Sequence, residues 1–393
     1  MSSFPLPSLA VPDSIFDVGC AGPKRRILIL TAGYGEGHNA AARALGEACD
    51  EVGGAGTARV VDVFALASPR LDRVVKRAYL YAINRQPRIW SLVYAWMHRS
   101  RLLPYCLRGL HADRRVLEQI IAQERPEAIC STYPVYAFLL EQLRREGRVT
   151  APHYNVVTDS ISINSLWWRA GAAGWFVPNE DSAAVMRAAG LAADRLHVLG
   201  FPVTLFFRRH AELTPPDLAA GARPRVLYIL NSGTRNAEAT VRRLLAGTDW
   251  EITCAVGRDE KLRQRLEQLA AGRQAPWEIL GWTDAIPRLL MTHHVVISKA
   301  GGATTQEAIA ARCPMIVSQV VPGQEEGNYE LLRRHGAGAR AETPAAVEAT
   351  LRAAFADQGA VCQEWRRRLE ELSRPSAARE IATFVLTATA APR

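Results

Sequence analysis

The chain has 393 residues, 48% of them hydrophobic and 22% charged, with a formal net charge of +9 and a pI near 9.4. These globular proportions set aside disordered, collagen-like and coiled-coil classes, and the length suits two domains with a core each. The positive balance calls for an anionic partner, whether nucleic acid, an anionic lipid surface or a phosphorylated substrate.

Residues 1–23 read as a loose leader, because Pro5, Pro7 and Pro12 interrupt its apolar residues and no basic region precedes them. Seven scattered cysteines, Cys20, Cys49, Cys106, Cys130, Cys254, Cys313 and Cys362, include no C-x-x-C spacing and read as reduced thiols in a cytoplasmic compartment. No uncharged apolar run of about 18 residues occurs, so no membrane-spanning helix is expected.

From Arg26 onward the short runs "RILIL", "ARVVDVF", "EAICST", "HYNVVTD" and "GWFVPN" alternate with longer amphipathic segments. This is the pattern of parallel βαβ units. After the proline-rich "LTPPDLAAGARP" a second series follows, with "RVLYIL", "WEITCAV", "WEIL", "HHVVIS" and "PMIVSQV". The α/β reading is therefore two Rossmann-like domains, residues 24–205 and 225–375, facing each other across a cleft and joined by a linker over 206–224. Residues 376–393 close the chain as a helix that can pack back on the first domain. Between Arg70 and Arg115 many Lys and Arg residues mix with Tyr79, Tyr81, Trp90, Tyr94, Trp96 and Tyr105. That composition suits a membrane interface, but it also suits an ordinary helix pair with its aromatics inside and its arginines solvated, and composition alone favours the second.

The first loop, "TAGYGEGH", has Gly33, Gly35 and Gly37 followed directly by His38, so its third glycine is misplaced for a dinucleotide turn. Glycines at a helix N-terminus let backbone approach a ligand, and His38 either faces that ligand or merely caps the helix. In the second domain "SKAGGATTQEA" places Ser298, Lys299, Gly301 and Gly302 between a strand and a helix, where backbone N–H groups and the helix dipole suit a phosphate. Thr304 and Glu307 fit a capping box, and Glu307 fits equally a carboxylate that binds ribose. "VVPGQEEGN" supplies Gln324, Glu325 and Asn328 for sugar hydroxyls, or else forms a polar turn. "NSGTRNA" offers Ser232, Gly233, Thr234 and Arg235 to a diphosphate.

With these residues placed, the chain resembles glycosyltransferase family 28, and within it the diacylglycerol glycosyltransferases, both processive glucosyltransferases and plant-type monogalactosyldiacylglycerol synthases. The likeness spans about Arg26 to Leu332 and rests on "TAGYGEGHNAAARAL", "STYPVYAFLLEQLRREGR", "HYNVVTDSISINSLWWRAGAAGWFVPNED", "LHVLGFPV", "SKAGGATTQEAIAARCP" and "PGQEEGNYELL". It departs from the family at "NSGTRNA", which has one glycine, and at "KAGGAT", where Ala303 replaces a glycine.

The resemblance implies a GT-B fold and inverting transfer of a hexose from UDP-glucose or UDP-galactose to diacylglycerol or a glycolipid. No cofactor, metal or nucleic acid is implied, and the absence of a D-x-D pair accords with metal independence. His38 becomes the expected general base, with Asp159 orienting it or competing for the role. Glu307 falls to the donor ribose, Gln324, Glu325 and Asn328 to the sugar, and the backbone at Gly281 and Trp282 to the uracil. Gly35, Gly37, Tyr133, Trp167 and Trp168 fall on the acceptor side. Trp90, Tyr94, Trp96, Arg99 and Arg101 become membrane-facing elements of a peripheral protein on the cytoplasmic face, which reverses the preference that composition alone supports. The alternatives are an N-acetylglucosaminyltransferase acting on a lipid-linked peptidoglycan precursor, a non-catalytic UDP-sugar-binding regulator, and a UDP-sugar epimerase.

Overall fold

A computed structural model describes residues 26–100, 102–107, 109–230, 236–246, 249–271, 276–323 and 325–390. The leader, Arg101, Gln324 and the expected diphosphate loop with Ser232, Gly233, Thr234 and Arg235 lie outside the described residues.

Among the described residues twelve strands form two six-stranded sheets. The first contains β1 (Ile27–Thr31), β2 (Ala58–Asp62), β3 (Ala128–Ser131), β4 (His153–Val156), β5 (Gly174–Val177) and β6 (Leu196–Val198), in the order β2-β1-β3-β4-β5-β6. The second contains β7 (Arg225–Ile229), β8 (Glu251–Gly257), β9 (Trp277–Gly281), β10 (Val295–Lys299), β11 (Met315–Gln319) and β12 (Gly338–Arg340), in the order β12-β11-β10-β7-β8-β9. Every pairing is parallel. Helices cover both faces of such a sheet, which is why β1, "ILILT", is buried at all five positions instead of alternating. The order reverses between β1 and β3 and between β7 and β10, so each sheet opens a crevice at those strand ends.

Among the described residues the elements between β2 and β3 are all helices, including the pair Pro69–Arg85 and Pro87–Arg99. Each starts with proline in its first turn, where a missing N–H costs nothing.

The chain crosses between the halves twice. Phe201, Val203 and Phe207 pack with Leu290, Met291, Ile309 and Leu331 in one cluster, to which Ala41 of the Glu36–Gly53 helix also belongs. The closing helix, Ala377–Ala390, returns to the first sheet, where Ile381, Val385 and Leu386 pack with Ile27, Ile29, Leu45 and Cys49. Gly200, at φ +102°, marks the crossing: a Cβ there would lie 2.7 Å from Arg374 and 2.8 Å from Ala377. Each fully buried aliphatic side chain contributes about 1.5–3 kcal/mol, so both crossings tie the two halves together.

Candidate active site in the cleft between the sheets

The first wall is the loop after β1. Gly35 adopts φ 113° and ψ 142° as the N-cap of the Glu36–Gly53 helix, a conformation open to glycine and strained for other residues. Asp62 at the end of β2 pins the loop: its Oδ2 accepts from the Gly33 N–H at 3.1 Å and from Lys76 Nζ at 3.1 Å, and its Oδ1 accepts from the Ala65 N–H at 3.1 Å. These three hydrogen bonds commit the carboxylate to the loop and to the helix that carries Lys76.

His38 does more than cap. Its Nδ1 lies 2.6 Å from the Thr132 carbonyl oxygen and 2.9 Å from Thr158 Oγ1. A carbonyl only accepts, so Nδ1 carries the proton and Nε2 keeps its lone pair. Among the described residues Nε2 has no hydrogen-bond partner. Burial pushes the His38 pKa down to about 4 against the pull of the Thr132 carbonyl, so the ring is neutral at physiological pH. The Tyr133 ring meets it edge-on, with centroids 5.1 Å apart, and stacks on Tyr34 at 5.5 Å.

Asp159 follows β4. Burial pushes its pKa up to about 6, while the Trp167 indole, donating from Nε1 to Oδ2 at 2.8 Å, and the Asn164 backbone favour the charged form. The expected orienting role of Asp159 is corrected here, because Nδ1 of His38 is held by Thr132 and Thr158. Trp167 is corrected as well: with no exposed surface it cannot line an acceptor path. Trp168 is half-buried, with its ring 6.4 Å from that of His98.

The second wall is the β10 end and the Gly302–Ala310 helix. Ser298 is fully buried within the strand, so the expected donor contact from its side chain is not available. Lys299 Nζ donates to Glu325 Oε1 at 2.8 Å, and the Val321 N–H donates to Glu325 Oε2 at 3.1 Å. The two residues expected to meet phosphate and sugar instead engage each other, and they brace the loop between them.

The helix N-cap is Gly301, with no side-chain cap. Thr304 therefore sits three positions past the cap and Glu307 a turn deeper, which removes the capping-box reading of the pair. The Glu307 side chain makes no hydrogen bond or ion pair among the described residues, and burial raises its pKa to about 7, with Arg43 lowering and Glu36 raising it. Asn328 donates from Nδ2 to the Ala300 carbonyl at 2.9 Å, and its Oδ1 is buried without a partner. Gly281 ends the edge strand β9, and Trp282 beside it is 69% exposed under the Arg258 guanidinium, 5.9 Å from the ring centre.

The walls touch. A Cβ on Gly37 would lie 3.7 Å from the Ala303 backbone nitrogen, and one on Gly302 would lie 3.4 Å from the Thr158 carbonyl. Gln306 Nε2 donates to Ser160 Oγ at 2.9 Å. At Gly327 a Cβ would lie 1.8 Å from the Ser160 carbonyl oxygen, so the junction admits only glycine. The sequence reading passed over Thr132, Thr158, Ser160 and Gln306. The available signal was position: the first three directly follow β3 and β4 at the ends where ligands of open sheets bind.

The helix pair roofs this cleft. Its inner side carries Lys76, which also pairs with Asp72 at 2.7 Å, and Trp90, edge-on to Tyr79 at 5.0 Å. Tyr94 donates to the Ser162 carbonyl at 3.0 Å, and its ring lies against Gly323 of the second domain. Trp90 and Tyr94 are thus corrected from outward to inward. The outer side exposes Leu71, Val74 and Tyr81 (62% each), Ile89 (55%), Leu92 (72%) and Trp96 (54%), with Arg99 exposed beside them. Among the described residues no helix is long and apolar enough to cross a membrane.

Two parallel sheets with their strand ends facing across a cleft, each presenting a glycine-started helix to the other, make up the GT-B fold. Solved structures agree in fold: MurG of Acinetobacter baumannii (TM-score 0.61, 15% identity, 93% of this chain and all of that one) and Os79 of O. sativa in complex with UDP (0.62, 14%, 92% and all). UDP-GlcNAc 2-epimerase of Neisseria meningitidis shares it too (0.56, 10%, 92% and all), so the fold by itself does not select the reaction. Sequence narrows the class. Residues 38–203 match the family model of monogalactosyldiacylglycerol (MGDG) synthase. The processive diacylglycerol beta-glucosyltransferase of Bacillus cytotoxicus is 24% identical over 92% of this chain and 93% of its own length, and that of Bacillus thuringiensis is also 24% identical over 92% and 93%. In sequence the chain is thus similar to diacylglycerol glycosyltransferases over nearly its whole length.

Proposed function

We propose that the protein transfers a hexose from UDP-glucose or UDP-galactose to the free hydroxyl of diacylglycerol, with inversion at the anomeric carbon. The observation that supports this reading is the pinned His38 tautomer: its Nε2 has no partner among the described residues, and the first turn of its helix touches that of the Gly302–Ala310 helix. The lipid oxygen attacks the anomeric carbon as the bond to the diphosphate breaks. The hydroxyl proton passes to a base, and UDP leaves with the bonding electrons. A positioned base contributes about 10²- to 10⁴-fold.

His38 is that base in this reading, neutral and ready to accept. Asp159 is the second candidate, because its raised pKa brings it nearer the working pH. The uncapped N-terminus of the Gly302–Ala310 helix, worth roughly half a positive charge, faces the departing diphosphate. Lys299 is already paired with Glu325, so the helix end, not this lysine, supplies the potential and no metal is invoked. Glu307, unpartnered, accepts from ribose hydroxyls. The outer face of the helix pair docks on the anionic cytoplasmic leaflet, its apolar side chains among acyl chains and Arg73, Arg77 and Arg88 at the headgroups. Diacylglycerol then enters beneath the pair.

The test is thin-layer analysis of lipids after incubating purified protein, diacylglycerol vesicles and one UDP-sugar at a time. A new glycolipid is expected with a UDP-hexose, and consumption of UDP-sugar without lipid product would point to the epimerase. His38→Ala should lower the rate by about 10²- to 10⁴-fold, and a wild-type rate moves the base assignment to Asp159.

A further inference from the structure

Trp167 sits under the cleft with no exposed surface, yet it links the most deeply buried polar groups of the first sheet to Asp159. Ser131 of β3 and His153 and Asn155 of β4 are also fully buried. His153 Nε2 lies 2.8 Å from Ser131 Oγ, and Ser131 donates to Asn155 Oδ1 at 2.9 Å. Asn155 Nδ2 donates to the Trp167 carbonyl at 3.2 Å, and Trp175 Nε1 donates to the same oxygen at 2.7 Å. Two donors on one carbonyl fix the backbone of a tryptophan whose indole then has one task left. A ladder of this kind is costly to leave half-satisfied, since each unpaired buried polar group costs about 1–3 kcal/mol.

We propose that Trp167 is the positioning residue of the active site: its indole N–H holds the Asp159 carboxylate in one orientation and favours its charged form, on a backbone locked by Asn155 and Trp175. This rests on Asp159 serving the transfer reaction. The other groups facing Asp159 are few. The Asn164 backbone also donates to it, and the Tyr94 phenol approaches from the Pro87–Arg99 helix, its own ionisation suppressed by burial and then by the Asp159 charge. The His38 ring lies near the same indole, with centroids 6.4 Å apart.

The experiment is the pH dependence of kcat/KM for transfer from the UDP-hexose that the protein consumes to diacylglycerol in phosphatidylglycerol-containing vesicles. Wild type is expected to lose activity through an acid limb near the Asp159 pKa of about 6. Trp167→Phe removes one hydrogen bond to the charged form, so the limb should move up by about one pH unit while the plateau above it changes only a few-fold. A limb that stays in place in a folded Trp167→Phe protein, with the rate lowered equally at every pH, overturns the proposal. A second measurement needs no substitution of Trp167. In ¹⁵N-labelled wild type, one indole N–H signal should titrate with the limb and stop doing so in Asp159→Asn, and no such signal overturns the proposal as well. Asp159→Asn turning over at the wild-type rate sinks the reading beneath it instead.

Discussion

The helices Glu36–Gly53 and Gly302–Ala310 begin alike, each after a buried strand, each capped by glycine with no side-chain cap, and the two first turns touch. Yet the first delivers a neutral imidazole whose pKa is held near 4, and the second an unpartnered carboxyl held near 7. Burial drives both shifts, toward the neutral form in each case. What separates them is partnership: His38 has its Nδ1 committed to Thr132 and Thr158, while Glu307 has nothing. One wall of the cleft is therefore built before any ligand arrives, and the other leaves a group for a ligand to satisfy. The loops differ in the same sense, the first braced by Asp62 and Lys76 against the helix pair, the second braced internally by Lys299 and Glu325.

The comparison can be broken most strongly at the second brace. Lys299→Met leaves Glu325, only 6% exposed, without its cation; the loss should be about 3–5 kcal/mol in urea unfolding, and an unchanged midpoint would show that the pair braces nothing. Glu307→Ala should weaken UDP binding by about 10- to 100-fold, the value of hydrogen bonds to a charged group, measured by calorimetric titration. Unchanged affinity would leave the carboxyl without a ligand.

Glu307 also carries a pH signature. Its folded pKa, raised from 4.5 to about 7, means the folded state holds the proton more tightly than the unfolded state. Its contribution is complete below pH 4.5 and is lost as pH rises to 7, so Glu307→Gln should remove part of any fall in stability across that window. On the first wall, Thr158→Val deletes one of two Nδ1 partners and leaves the Thr132 carbonyl. Transfer should slow by no more than about tenfold, the worth of one hydrogen bond of about 0.5–1.5 kcal/mol, whereas a loss as deep as that of His38→Ala would make Thr158 the dominant partner. The smallest effect on stability is expected outside: Leu92→Ser with Trp96→Ser should change unfolding by about 0.5 kcal/mol or less yet reduce sedimentation with anionic vesicles. Unchanged vesicle binding would remove the membrane role from this face.

All ten strands read from apolar runs are present, because a strand buried on both faces, such as β1, β3 or β10, is mostly apolar. The two that the reading passed over, β6 and β12, are three-residue edge strands, "LHV" and "GAR", too short to show a pattern. The position of Gly35, Gly37 and His38 at a helix start, and of Glu307 inside a helix, was legible because strand-to-helix junctions are local features. The inward turn of Trp90 and Tyr94 was not, since composition is blind to which side of a helix meets a neighbour.

The sequence by itself determined two parallel α/β sheets, glycine loops at their strand ends, and a basic, aromatic helical segment inserted in the first half, because each follows from residue order over a few turns of chain. Only the tertiary structure decided that Lys299 meets Glu325 and not a phosphate, that Trp167 lies beneath the cleft and not in it, and that Thr132 and Thr158 select the His38 tautomer. Those contacts join residues 26, 8, 94 and 120 positions apart. Their partners are chosen by how the strands stack and the two sheets close on each other, and no short-range pattern encodes that choice.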